Sequence, residues 1–174
     1  MFSWLQFFFR LCLLKVAPQE APSTQFVQSI SFFAFWLSSS LFFLLLQNFT
    51  VSVILGLIQV LLISFLLQLG LWITNTPERS VQARTALFGS GATLLFILVP
   101  VLSWLIQMNS ETNYIFSLVG VFAMIWSILV LGNILHHTFD IQKLAGIGIA
   151  IVYIFMTFAI TLRILKVLAI SNTI

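Results

Sequence analysis

Residues 21 to 77 contain no Asp, Glu, Lys or Arg. A helix that crosses a bilayer needs about 20 apolar residues, so this stretch is long enough for two crossings and the turn between them. Lipid satisfies no backbone hydrogen bond, and the stretch must therefore form complete helices. Its most polar point is Gln47-Asn48, where we place the turn.

The composition of the whole chain agrees with a lipid environment. Charged residues make up 6% of the 174 residues and hydrophobic residues 61%, whereas a soluble domain is about 25% charged. The mean hydropathy is +1.16. These values exclude a soluble enzyme, a nucleic-acid-binding domain and a disordered chain.

The remaining polar segments divide the chain further. We predict an all-α fold, a polytopic membrane bundle of five transmembrane helices preceded by a short amphipathic interfacial helix. The predicted segments are an interfacial helix over 1–16, a Pro-containing link over 17–25, a membrane domain over 26–165 with spans at about 26–46, 51–73, 86–107, 114–135 and 144–162, and a C-terminal tail over 166–174.

Two prolines mark details of the third span. Thr76 is predicted to cap a helix that has Pro77 in its first position and Glu78 in its first turn. This helix should start at the membrane surface and enter the bilayer near Ala86. Pro100 lies inside the span and is predicted to kink it.

The first 16 residues are rich in aromatic side chains, and this segment is too short to cross a bilayer. We predict that they lie in the membrane interface, with Phe7, Phe8, Phe9, Arg10 and Lys15 as the interface residues. The single cysteine of the chain, Cys12, excludes an intrachain disulfide. It is expected to act as a small hydrophobic residue, with palmitoylation as the alternative.

The basic residues predict an orientation. With five spans, the N-terminus and the second and fourth loops share one side, which carries five bases: Arg10, Lys15, Arg79, Arg84 and Lys143. The other side carries Arg163 and Lys166. The positive-inside rule therefore places the N-terminus in the cytoplasm and the C-terminus outside, with a bacterial inner membrane as the expected location.

No acidic or basic residue lies in the middle of a predicted span, which disfavours proton pumps and ion-coupled transporters. Because no nucleophile motif or pair of carboxylates appears, we expect no enzyme activity, no catalytic residue and no cofactor. His136, His137 and Asp140 form the only metal-like cluster. They supply too few ligands for a zinc site, so we predict an interfacial loop instead. The neutral polar residues at bilayer depth, such as Ser38, Ser40 and Ser64, are expected to form hydrogen bonds between helices. A substrate path beside Gln59 and Asn133 is the alternative.

Small residues predict helix packing. Gly89 and Gly91 open the third span, and Gly146, Gly148 and Ala150 open the fifth. Small side chains allow two helices to approach closely in lipid. We expect these positions to pack within the bundle, with a dedicated dimer face as the alternative.

The layout and three local patterns resemble the Yip1 family. The patterns are Pro18-Gln19-Glu20-Ala21-Pro22-Ser23 before the first span, Trp126-Ser127-Ile128-Leu129 in the fourth, and His136-His137 followed by Lys143-Leu144-Ala145. The resemblance covers about residues 10 to 165 and implies five closely spaced spans with the C-terminus outside. Eukaryotic members bind Rab GTPases through an extended cytoplasmic domain. The segment before the first span is short here, so we expect no such partner, and for bacterial members the family implies no known chemistry.

These observations lead to three functional hypotheses. The first is a non-catalytic, Yip1-like scaffold or membrane-organising protein that acts through helix and lipid contacts. The second is an accessory transmembrane subunit of a secretion, pilus or respiratory complex, and the third is a small-molecule transporter. The expected partners are membrane lipid and either another protein or a second copy of the chain within the membrane, with no nucleic acid.

Overall fold

The computed structural model describes residues 2–74, 76–107 and 113–171, which are almost entirely helical. The helices are α1 (Phe2–Cys12), α2 (Gln25–Leu44), α3 (Phe49–Thr74), α4 (Ser80–Gln107), α5 (Asn113–Phe139) and α6 (Lys143–Ser171), with short 3-10 turns at Pro18–Glu20 and Pro77–Arg79. Five of them, α2 to α6, are long and apolar enough to cross a membrane. The predicted all-α bundle of five long apolar helices is therefore confirmed.

Most of the predicted boundaries lie within a few residues of the observed ones, and the turn at Gln47-Asn48 falls between α2 and α3 as expected. The start of α4 differs from the prediction. Pro77 does not open an α-helix, because Pro77–Arg79 form a 3-10 turn and α4 begins at Ser80. The Thr76 hydroxyl lies 2.9 Å from the Thr74 hydroxyl, and the Thr76 carbonyl accepts from the Arg79 amide. A cap by the Thr76 side chain stays a prediction.

The helix α5 ends four residues later than predicted. Its last turn includes His136 and His137, which we had placed in a loop. Asp140 then adopts a left-handed conformation with φ of 55°, and the Ile141 amide donates to the His136 carbonyl. This geometry is a Schellman motif, in which a residue with positive φ ends the helix.

The same motif ends α1 before the predicted residue 16. Leu14 has φ of 59°, and the Lys15 amide donates to the Arg10 carbonyl. At the other end of the chain, α6 continues to Ser171, so the predicted tail over 166–174 is helical as far as the structure describes it. The sequence that follows Leu162 is rich in Leu, Ile and Val, and nothing in it stops a helix.

Helix α2 packs against both α3 and α4, which have few contacts with each other. Buried side chains occur from Val27 to Ser39 in α2, from Ser52 to Leu71 in α3 and from Ala83 to Leu105 in α4. The helices α5 and α6 form a hairpin beside this three-helix core. The short α1 lies on α4.

Pro100 lies inside α4, and the helix continues on both sides of it to Gln107. Proline has no amide hydrogen to donate to the carbonyl four residues earlier. The continuity of α4 does not test the predicted kink at Pro100, which stays a prediction.

Candidate functional site

Most charged side chains lie at one end of the bundle. We call the polar end the part formed by residues 10–20, 76–84 and 136–143. It contains the five bases that the sequence predicted on one side, together with three carboxylates: Arg10, Lys15, Arg79, Arg84, Lys143, Glu20, Glu78 and Asp140. The segment after α1, the α3–α4 connection and the α5–α6 connection therefore meet at the same end, as five antiparallel crossings require.

The backbone carbonyl of His137 joins three segments at the polar end. The Gln19 side-chain amide donates to it at 3.3 Å, and the Arg79 guanidinium donates at 3.5 Å. The last carbonyls of a helix have no partner within that helix. Gln19 and Arg79 therefore provide donors that α5 lacks, and they attach the link and the α3–α4 connection to its end.

The two histidines are adjacent, with ring centroids 4.5 Å apart. The His136 ring hydrogen-bonds to the Ile141 carbonyl through Nδ1. Asp140 is exposed and lies beyond the end of α5. Within the described ranges, no three His, Cys, Asp or Glu side chains come close enough to hold a metal ion. The hydrogen bond between the His136 ring and the Ile141 carbonyl stabilises the end of α5.

Cys12 connects α1 to two other helices. Its thiol lies 3.5 Å from the Ser90 carbonyl in α4, and its own carbonyl accepts a hydrogen bond from the Trp126 indole of α5 at 3.1 Å. The side chain is buried, and burial raises the pKa of the thiol to about 12. An acyl chain attaches to an accessible thiol, so this placement favours Cys12 as a packed hydrophobic residue over the palmitoylated alternative.

The predicted interface residues of α1 do not share one environment. Phe9 is exposed and Phe7 is half-buried, while Arg10 and Lys15 are exposed at the polar end. Phe8 is 7% exposed, and its ring fills the space beside Gly89 of α4. The structure therefore corrects the prediction for Phe8, which packs against protein because Gly89 has no side chain to exclude it.

Four of the five predicted packing residues are in helix contacts. A side chain at Gly89 would overlap Phe8, one at Gly91 would overlap Phe35, and one at Gly146 would overlap the Gly132 carbonyl. Ala150 is fully buried. Gly148 is the exception, because a Cβ atom there would meet nothing within 4 Å.

Sequence reasoning did not single out three close approaches. Gly56 lies against Ser40, Gly70 lies against the ring of Phe139, and Gly132 lies against the backbone of Ile147. The spacing of Gly56 from Ser52 indicated a small-residue pair. Gly132 has no small residue three or four positions away on its own helix, so its close approach to Ile147 has no local sequence signal.

Polar residues at bilayer depth mainly bond within their own helices. The hydroxyls of Ser40 and Ser64 donate to carbonyls four residues earlier, and Ser38 donates to a carbonyl three residues earlier. The prediction of hydrogen bonds between helices is therefore wrong for these three serines. A serine hydroxyl in a helix always has a carbonyl of the preceding turn within reach, and here it uses that acceptor. Gln59 and Asn133 are both half-buried.

The buried residues of the α5–α6 hairpin lie in the half next to the polar end. Its buried residues run from Val130 to Phe139 in α5 and from Gly146 to Tyr153 in α6. None of residues 114–129 and 154–166 is buried. We call these two segments the open half of the hairpin.

Comparison of the chain with protein-family models, with curated proteins and with solved structures finds no match. The resemblance to the Yip1 family therefore stays a prediction from the residues quoted above.

The packing of Cys12 predicts slow alkylation in the folded protein. At pH 8 a thiol with a pKa of about 12 has about 1000-fold less thiolate than one at the ordinary value of 9.0. Maleimide labelling, followed by mass spectrometry, should therefore be much slower in mild detergent than in SDS. Trp126→Phe removes the bond from α5 to α1 and should accelerate labelling in mild detergent. Equal rates for the wild type in both detergents would contradict the buried placement.

The raised pKa of Cys12 also predicts how the free energy of unfolding changes with pH. Folding favours the protonated thiol, so its contribution to the free energy of unfolding is fully present below about pH 9 and is lost as the pH rises toward 12. Cys12→Ala should remove this part of the alkaline destabilisation.

Proposed function

We propose that this protein is a non-catalytic integral membrane protein that organises other membrane components through helix and lipid contacts, as its resemblance to the Yip1 family implies. The observation that carries the proposal is the open half of the α5–α6 hairpin. Buried residues occur toward both ends of the α2–α4 core, whereas no residue in the open half of the hairpin is buried, although Trp126 there donates to the Cys12 carbonyl of α1.

Apolar side chains in this region do not by themselves require a protein partner. Lipid chains cover an apolar helix as well as another apolar side chain does, so exposure of Phe122 or Phe155 costs little in a bilayer. A glycine on the same helix is different, since it lets a second helix approach closely. Gly148 is exposed and has open space beside it.

A helix from another chain can therefore pack against α6 at Gly148 and continue along the open half. We assign this surface to a second copy of the chain as the first occupant. The same surface also suits the alternative of an accessory subunit, whose partner would be a helix of a larger complex. The association experiment below distinguishes the two.

The proposed location is a bacterial inner membrane, with the N-terminus in the cytoplasm and the C-terminus outside. It is supported by the five bases at the polar end, compared with Arg163 and Lys166 toward the other end of α6. Positively charged loops are retained in the cytoplasm during membrane insertion.

Replacing Gly148 tests the helix contact. Native mass spectrometry in mild detergent is expected to show a dimer of the wild-type chain, and Gly148→Leu should weaken it about tenfold because the added side chain separates the helices. Ser29→Leu is the control, since it adds bulk to an exposed position of α2, outside the hairpin. Co-purification of a different membrane protein with the chain would support the accessory-subunit alternative. A wild-type chain that always runs alone, or equal effects of both variants, would contradict the proposed contact.

Cysteine labelling tests the orientation. In a Cys12→Ser background, we expect a membrane-impermeant maleimide added to intact cells to label Asn48→Cys and to leave Glu20→Cys unlabelled until the membrane is opened. Both positions are exposed, and they lie at opposite ends of the bundle. The reverse pattern would overturn the proposed orientation.

A further inference from the structure

One basic residue of the polar end differs from the others in its surroundings. Arg84 lies about one turn into α4, and its guanidinium reaches across to α3, where Nη2 donates to the side-chain oxygen of Gln68. Arg10 and Lys15 are exposed instead. Arg84 is therefore the base placed deepest between two of the long apolar helices at this end.

The hydrogen bonds of Arg84 are incomplete. A guanidinium has five N–H donors, and the Nε atom of Arg84 is buried without an acceptor. Its acceptor in the described part of the chain is the neutral Gln68 amide, and no carboxylate pairs with it there. A buried or half-buried guanidinium without an anion loses hydration that the protein does not replace. The Arg84 guanidinium therefore has no anionic partner within the described part of the chain.

The Arg84–Gln68 pair, though not the buried Nε atom, can be reached from the lipid side. Gln68 is exposed, and Trp72 is 76% exposed one turn further along the same face of α3. The helix ends two residues after Trp72, at Thr74. Tryptophan at the end of a spanning helix is typical of the headgroup level of a membrane. Gln68 then lies about 6 Å deeper than Trp72, within reach of a lipid phosphate that descends along this face.

We propose that Arg84 and Gln68 bind the phosphate of an anionic phospholipid in the leaflet next to the polar end. Arg84 supplies a planar donor group that matches two phosphate oxygens. Because the Gln68 oxygen accepts from Arg84, its amide nitrogen is free to donate to a further phosphate oxygen. A soluble phosphate ester presents the same oxygens, but the exposed apolar face around Trp72 suits a ligand that also has acyl chains.

This site depends on the proposed function only in that the chain lies in a bilayer. It does not use Gly148 or the open half of the hairpin. Loss of lipid binding with dimerisation intact would overturn the site alone, and the converse result would overturn the helix contact alone.

The test is native mass spectrometry of the full chain, delipidated in mild detergent and titrated with phosphatidylglycerol. We expect the wild type to bind one phosphatidylglycerol tightly and to bind phosphatidylcholine more weakly. Arg84→Gln should weaken the tight binding about tenfold, since a charge-assisted pair is lost. Arg10→Gln is the matched control, because it removes the same charge from an exposed position at the same end. Arg84→Lys keeps the charge without the planar donor group and should bind with intermediate affinity.

Three outcomes would overturn the proposal. Unchanged binding in Arg84→Gln would exclude the residue, and an equal loss in Arg10→Gln would show general attraction of anionic lipid to a basic surface. Displacement of phosphatidylglycerol by an equal concentration of glycerol 1-phosphate would identify a soluble phosphate ester as the ligand. A thermal midpoint measured for each variant shows whether it is folded, and if Arg84→Gln is unfolded, Arg84→Lys and Gln68→Leu decide the question in the same way.

Discussion

The carbonyl oxygen of His137 is where three separate parts of the chain meet. Gln19 reaches it from the link after α1, and Arg79 reaches it from the connection between α3 and α4. The chain has few charged or amide side chains, and lipid offers its backbone no hydrogen-bond partner. Several of those side chains, Gln19 and Arg79 among them, lie where backbone groups need them, at the end of a helix. The polar end is the result, and it attaches the hairpin and α1 to the core.

Beyond that attachment, packing depends on small residues. The Gly132–Gly146 contact holds the hairpin together near the polar end, and the Gly89–Phe8 contact holds α1 on α4. Close approach of helices in lipid replaces the hydrophobic driving force that operates in water. Gly148 is a small residue of α6 that this packing does not use, and its exposed face continues from the packed half into the open half, which is the surface that we propose for a second chain.

Much of the fold follows from the sequence. The charge-free stretch from 21 to 77 predicts two helices, and the polar pair Gln47-Asn48 predicts their turn. The sequence did not predict the extension of α5 through His137, because its left-handed end residue is Asp140 and glycine is the usual signal. Gly146 and Gly148 were predicted to share a function, yet residues two apart on a helix point in different directions, and only Gly146 faces α5. The pairing of Arg84 with Gln68 joins residues on two helices and has no local sequence signal.

The central claim is that the buried contacts at the polar end hold the α5–α6 hairpin on the core, whereas its other half contains no buried residue and is held less firmly. Distances between pairs of spin labels test it most directly, measured by pulsed electron paramagnetic resonance on monomeric protein in a Cys12→Ser background. Labels at Glu20→Cys and Gln142→Cys span the attached end, and labels at Leu46→Cys and Leu162→Cys span the other end. We predict a narrow distance distribution for the first pair and a broad one for the second. Equally narrow distributions for both pairs would contradict the account.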